Sequence, residues 1–388
     1  MFSSRVPGEL APNRLAAAGA ARRSARRSFL DLTISNPTAA GLTYPDDILR
    51  GLAGDAAREY QPEPFGLASA RAAVAADYAR RGISVAEDRV VLTASTSEAY
   101  TLLFKLLCEP DGDEVLVPAP SYPLFDHLTR LDGVAARQYW LQYHGRWEVD
   151  GGSFAAAWSD RTKAALVVSP NNPTGSTVSD AEWETIARHC AQRGAAMIVD
   201  EVFADYPFDA DAAPAGHPSP SACLVFRLGG LSKSAGLPQV KLGWIAVDGP
   251  DGLVAPALER LELICDTYLS VSTPVQVAAP ALIERGAEVR RQIRERIRTN
   301  FATLDAAAAA DPSVERLAAD GGWSAVLRVP ARESEEALVL ALLEERDTLV
   351  YPGFFFDFPH EAFLVFSLLP PPGEFLEGTS RVMEHLRG

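Results

Sequence analysis

Between residues 90 and 226 the chain repeats one pattern: a short unbroken apolar run, then a stretch with helical periodicity. The runs are Val90-Val91-Leu92, Val115-Leu116-Val117, Ala164-Ala165-Leu166-Val167-Val168, Met197-Ile198-Val199 and Leu224-Val225-Phe226. Polar residues do not alternate within them, so both faces of each strand must be covered by helices. This predicts an α/β chain with a mainly parallel central sheet sandwiched by helices. Helices are predicted near 96–108 and 180–193. The second opens with Ser179-x-x-Glu182, a capping box. In such sheets ligands bind beyond the carboxyl ends of the strands. Ser95, Thr96, Ser97, Tyr122, Asn172, Asp200 and Lys233 all fall there.

After Pro274 a long helix is predicted through Arg290-Arg291-Gln292-Ile293-Arg294-Glu295-Arg296, its mixed charges forming a solvated face. Beyond Asp311-Pro312 the pattern changes. Short runs at 324–327 and 362–366 flank a helix at 334–346, which predicts a small α/β domain. Near the N-terminus, Ala21-Arg22-Arg23-Ser24-Ala25-Arg26-Arg27-Ser28 lacks a following apolar region and predicts a helix entering the fold, not a secretory signal.

A net charge of −15 argues against nonspecific nucleic-acid binding. No run of about 18 apolar residues occurs, so no membrane span is expected. Cys108, Cys190, Cys223 and Cys265 are widely spaced, without a CxxC pair. They predict buried thiols in a reducing compartment, with no disulfide or metal framework and a cytoplasmic location.

The chain holds four lysines against thirty-two arginines, yet Lys233 and Lys241 both fall within residues 229–244. A chain that so avoids lysine but keeps it here marks a position where arginine cannot serve. Arginine stays protonated near neutral pH; a lysine of lowered pKa becomes an amine nucleophile. The chemistry that most often demands this is a Schiff base with pyridoxal 5'-phosphate (PLP).

The order and spacing of the polar segments sharpen this reading. Thr93-Ala94-Ser95-Thr96-Ser97-Glu98-Ala99 is followed by Pro118-Ala119-Pro120-Ser121-Tyr122-Pro123, Ser169-Pro170-Asn171-Asn172-Pro173-Thr174-Gly175, Ile198-Val199-Asp200-Glu201-Val202-Phe203 and Ser232-Lys233. From about 31 to 385 the series resembles the class I/II aminotransferases, PLP-dependent enzymes of fold type I in the aspartate aminotransferase superfamily. The resemblance implies an N-terminal arm with part of the small domain at 1–45, a large PLP-binding domain at 46–275, and a linking helix with the small domain at 276–388. It implies Lys233, Asp200 and Tyr122 as the catalytic residues. Lys233 would hold the cofactor and move protons, Asp200 would keep the pyridine nitrogen protonated, and Tyr122 would stack on the ring. Asn172 would donate to the phenolic oxygen, while Ser95, Thr96, Ser97, Ser232 and Lys241 would hold the phosphate. Tyr60 resembles a residue that crosses a homodimer interface to the partner's phosphate. The implied reaction moves an amino group from an amino donor, an amino acid, to a 2-oxo acid by a ping-pong cycle.

Four positions depart from the family pattern. Lys241 stands where arginine is usual, Gly230 where serine often binds phosphate, and Phe203 where a tyrosine commonly donates to the phenolic oxygen. Val365 occupies the usual place of the arginine that binds the substrate carboxylate. Either another arginine takes over, or backbone donors near Asn36 hold the carboxylate, or the substrate lacks one. Phe354-Phe355-Phe356 falls where this family lines its substrate pocket; the three aromatics either favour a bulky apolar donor, with Phe355 as the contact, or belong to the core. Val365 keeps other PLP reactions open: β-lyase, decarboxylase or oxidase. A noncatalytic PLP-binding regulator is the remaining alternative, disfavoured because only about 30 residues precede the fold.

Overall fold

The computed structural model describes residues 1–8, 10–209, 211–212, 216–217 and 222–388. In chain order its strands are β1 (Leu30–Asp31), β2 (Val90–Thr93), β3 (Glu114–Ala119), β4 (Ala135–Tyr143), β5 (Trp147–Val149), β6 (Thr162–Val168), β7 (Ala196–Asp200), β8 (Val225–Gly230), β9 (Gly243–Asp248), β10 (Glu315–Arg316), β11 (Ser324–Arg328), β12 (Thr348–Leu349), β13 (Tyr351–Pro352) and β14 (Phe363–Ser367).

Eight strands form the central sheet in the order β2-β9-β8-β7-β6-β3-β4-β5. Neighbours from β8 to β4 run parallel. Every residue of β2, β3, β7, β8 and β9 is buried, as unbroken apolar runs require when both faces are covered. On one face the apolar side chains join helices Thr96–Leu107 and Asp251–Tyr268. On the other they join helices Gly151–Ala157 and Asp180–Arg193. The capping box is present: Ser179 Oγ accepts from the Glu182 N–H, and Glu182 Oε2 accepts from the Ser179 N–H at 2.8 Å. Two otherwise orphaned donors are thereby satisfied.

The sheet is mainly parallel, as predicted, but not wholly so. The run at 90–92 lies at an edge and pairs antiparallel with β9, which is also antiparallel to β8. The β8–β9 connection holds two short helical turns, Leu231–Ser234 and Pro238–Val240, too little for a crossover, so the chain turns straight back. That short return carries the Ser232-Lys233 segment.

The long helix spans Thr273–Ala309 and buries Leu282, Val289, Ile293, Ile297 and Leu304. Its charges correct the expectation of a wholly solvated face. Arg291 and Glu295 do form an exposed pair. Arg290, however, is buried and lies 3.3 Å from Asp205 and 3.7 Å from Asp77. Arg296 donates to the carbonyls of Ala40 and Leu369, tying the arm and the C-terminal region to the helix. The partners are distant in sequence, so helical periodicity could not reveal them.

The smaller sheet, in the order β10-β11-β14-β13, is antiparallel. β1 pairs in parallel with β12, drawing the N-terminal arm alongside this region. All four cysteines are free and buried, as the sequence predicted.

Candidate active site

Parallel strands place their carboxyl ends along one rim, and the loops leaving that rim bring distant residues together. Asp200 ends β7, in register between Val168 of β6 and Leu228 of β8. Ser95 follows β2, Tyr122 follows β3, Asn172 follows β6, and Lys233 follows β8. A cavity of about 1000 Å³ opens at this rim. Ser95, Thr96, Ser97, Tyr122, Asn172, Asp200, Ser232, Lys233, Lys241 and Phe355 all line it. Two predicted site residues do not. Asn36 spends its side-chain oxygen on Thr38, while its neighbour Ser35 lines the cavity. Tyr60 is 65% exposed and lies outside the cavity of its own chain.

Strand alternation separates two neighbouring acids. Asp200 lines the cavity. Glu201 joins a buried cluster, accepting from Arg227 at 2.7 Å and from Arg81 at 3.2 Å. Burial pushes the Asp200 carboxyl up to about 6, against hydrogen bonds from the Val202 N–H and the Tyr100 hydroxyl that favour its charged form. The Tyr100 hydroxyl donates to Asp200 Oδ2 at 3.0 Å. Sequence reasoning missed Tyr100; its signal was its place one turn beyond Thr96, on the helix that starts at the rim.

Lys233 sits beside two aromatic rings, its amine 5.0 Å from the Trp323 centroid and 5.7 Å from the Phe203 centroid. Burial lowers its pKa, with the Asp200 charge opposing that effect. Lys105 and Lys163 pair with Asp132 and Asp113. Among the described residues, no carboxylate lies within ion-pair distance of Lys233 or Lys241. The two lysines of the cavity are thus the two without acidic partners.

Ser95 caps the helix Thr96–Leu107 by accepting from the Glu98 N–H at 3.1 Å. The first-turn N–H groups of Thr96 and Ser97 have no intrahelical acceptor and favour an anion. Gly243 lets β9 approach this helix start: a Cβ there would lie 3.0 Å from the Ser95 carbonyl carbon. Glycine at 230 has a similar reason. A Cβ at that position would lie 3.1 Å from the Leu242 carbonyl oxygen, so a serine would crowd β9. Asn172 Oδ1 accepts from Ser324 Oγ at 3.2 Å, leaving Nδ2 without a protein acceptor among the described residues. Trp323, Ser324 and Tyr351, which the sequence did not single out, complete the wall.

Solved structures share this architecture. Alanine aminotransferase from Pyrococcus furiosus matches with a TM-score of 0.88 over 100% of both chains, at 23% identity, a likeness that concerns the fold. The fold is fold type I of the PLP-dependent enzymes. A sequence model described as aminotransferase class I and II matches residues 30–368, and the chain belongs to that family, whose members are PLP-dependent. Among curated relatives, glutamate-pyruvate aminotransferase AlaA of Haemophilus influenzae is 31% identical over 259 residues, covering 64% of this chain and 62% of that protein. The S-alkyl-thiohydroximate lyase SUR1 of Arabidopsis thaliana is 30% identical over 248 residues, 62% of this chain and 51% of that one. The matched segments therefore span about half to three fifths of these relatives' own lengths.

Proposed function

We propose that this chain is a PLP-dependent aminotransferase that moves an amino group from an amino acid to a 2-oxo acid by a ping-pong cycle. The observation that carries the reading is one cavity shared by an amine without an acidic partner, a buried carboxylate and a helix N-terminus. These donors fit the cofactor. Thr96, Ser97, Ser95, Ser232 and Lys241 would hold its phosphate. Asp200 would face the pyridine nitrogen, Asn172 Nδ2 the phenolic oxygen, and Tyr122 the ring. Bound PLP supplies an electrophilic aldehyde carbon and a ring that accepts an electron pair.

The remaining work falls to the protein. At neutral pH burial enlarges the unprotonated fraction of the Lys233 amine, which can then act as a base. With PLP bound, Lys233 would take the proton from the substrate α-carbon and pass it to the cofactor carbon on the far side of the nitrogen. Asp200, ionised above about pH 6 before any cation faces it, would favour a proton on the pyridine nitrogen once PLP is bound. Tyr100 keeps that carboxylate charged by donating to Oδ2. Trp323 and Phe203 shield the amine from water.

Tyr60, exposed and outside its own cavity, fits a homodimer in which it reaches the partner's phosphate site. Among the described residues, no helix is long and apolar enough to cross a membrane. We place the enzyme in the cytoplasm, where its four free thiols stay reduced. The named lyase relative and Val365 favour one second reading, a β-lyase. Purified protein loaded with PLP should absorb near the visible edge and bleach with its amino donor, releasing the matching 2-oxo acid. No bleaching across a panel of amino acids would sink the transaminase reading. Ammonia with pyruvate would establish the lyase instead.

Tyr100→Phe removes one hydrogen bond from the charged form of Asp200. The acid limb of the pH–rate profile should move up by about one pH unit, since a bond to a charged group is worth about 1.5–3 kcal/mol. An unmoved limb would deny Tyr100 this role.

A further inference from the structure

The cavity lining holds a cation besides Lys233 and Lys241. Arg23, on the helix Arg14–Ser24, is the one arginine among the described residues that line the cavity. Among the described residues, its side chain makes neither a hydrogen bond nor an ion pair; its guanidinium lies 5.6 Å from the Phe29 ring centroid. Its neighbour Arg22 behaves differently, pairing with Asp347 and donating to the Glu344 carbonyl at 2.9 Å. Arg22 and the Arg14–Glu336 pair tie the helix down. Gly19, one turn before Arg23, also lines the cavity, and a Cβ there would lie 3.5 Å from Arg23 Nη2.

Strand β14 offers no cation. Val365 is 1% exposed and packs in an apolar cluster, opposite Val326 and Tyr351 in register. The other two cations of the lining are Lys233 and Lys241, both assigned above to the cofactor. Asp31, the acid on the lining besides Asp200, has Oδ1 engaged by Thr33. Tyr122, Tyr351, Phe355 and Phe356 supply an apolar and aromatic wall.

We propose that Arg23 binds the carboxylate of the amino donor and of the 2-oxo acid, so that an arginine on the N-terminal helix serves where β14 has none. This rests on the aminotransferase reading for its substrates. A guanidinium presents paired N–H donors that match both oxygens of a carboxylate. Its freedom from protein partners means that no existing ion pair must break first. The donor class this selects is an amino acid with an apolar or aromatic side chain.

The test compares PLP-loaded wild type, Arg23→Gln and Arg23→Lys. Calorimetry measures binding of 3-phenylpropionate and 4-methylpentanoate, which carry the carboxylate but no amine, against 3-phenylpropan-1-ol. Arg23→Gln should weaken carboxylate binding at least ten-fold and leave the alcohol, the cofactor spectrum and the melting temperature unchanged. Arg23→Lys should recover part of the loss. With the active amino donor, KM should rise at least ten-fold while kcat changes less than three-fold. Equal carboxylate binding by wild type and Arg23→Gln, or none by wild type, overturns the assignment. A wild type that no amino acid bleaches sinks the aminotransferase reading instead, and the calorimetric comparison still decides Arg23.

Discussion

Lys233→Ala should lower amino-group transfer by about four powers of ten or more, because one amine serves as both the cofactor's attachment and the proton carrier. In wild type, borohydride reduction and peptide mapping should place the trapped label on residue 233; in the variant no label should appear there. Folding should not suffer. Burial lowers the Lys233 pKa, so the folded chain disfavours the charged amine that the unfolded chain accepts. That cost is present at neutral pH and fades as pH rises through the unfolded value. The cofactor-free variant should therefore melt at least as high as cofactor-free wild type at pH 7. A label on another lysine, or turnover within ten-fold of wild type, would remove Lys233 from the chemistry.

Asp200→Asn should likewise separate stability from activity. In the cofactor-free chain burial raises the Asp200 pKa to about 6 from the ordinary 3.8. A raised carboxyl pKa means stability is fullest below the unfolded value and is lost as pH climbs to the folded one. The loss is about 3 kcal/mol at 1.36 kcal/mol per pH unit. Asparagine carries no charge but offers one acceptor oxygen, where the carboxylate accepts from both Tyr100 and Val202. Giving up one bond costs about 1 kcal/mol. The cofactor-free variant should thus be more stable than wild type by about 2 kcal/mol at pH 7.5, and the order should reverse near pH 4, where only the lost bond remains. Urea melts at the two pH values measure it. With PLP bound, transfer should fall by about three powers of ten, since a neutral amide does not hold a proton on the ring nitrogen. A variant that melts lower at pH 7.5, or keeps its activity, contradicts this account of Asp200.

Both variants concern residues that the sequence already exposed, and the reason is local. The strands that end at Thr93, Ala119, Val168, Asp200 and Gly230 announce themselves as apolar runs, so the residues just past them could be assigned to one rim. Val91 to Leu92 could not reveal its antiparallel partner, because pairing direction depends on the length and path of the return from β8. The charges at 290–296 looked like a solvated face. Only packing placed Arg290 beside Asp205 and left Arg291 in water.

Tyr100 and Trp323 were invisible for a related reason. Each lies in a segment that reads as ordinary core, and each matters through a neighbour more than 85 residues away: Asp200 for the first, Lys233 for the second. Arg23 was read as one of several arginines in a helix entering the fold. Its significance required two facts about three dimensions: that the helix Arg14–Ser24 borders the cavity, and that Val365 is packed away from solvent.

The amino-acid order by itself determined the sheet's character, the family, and the amine–carboxylate–helix series, because strand burial and strand-end chemistry are written in consecutive residues. Tertiary structure alone decided which groups shift the acid and the amine, and which cations are left without partners. Desolvation and charge pairing depend on distances between segments far apart in the chain, and no local pattern encodes those distances.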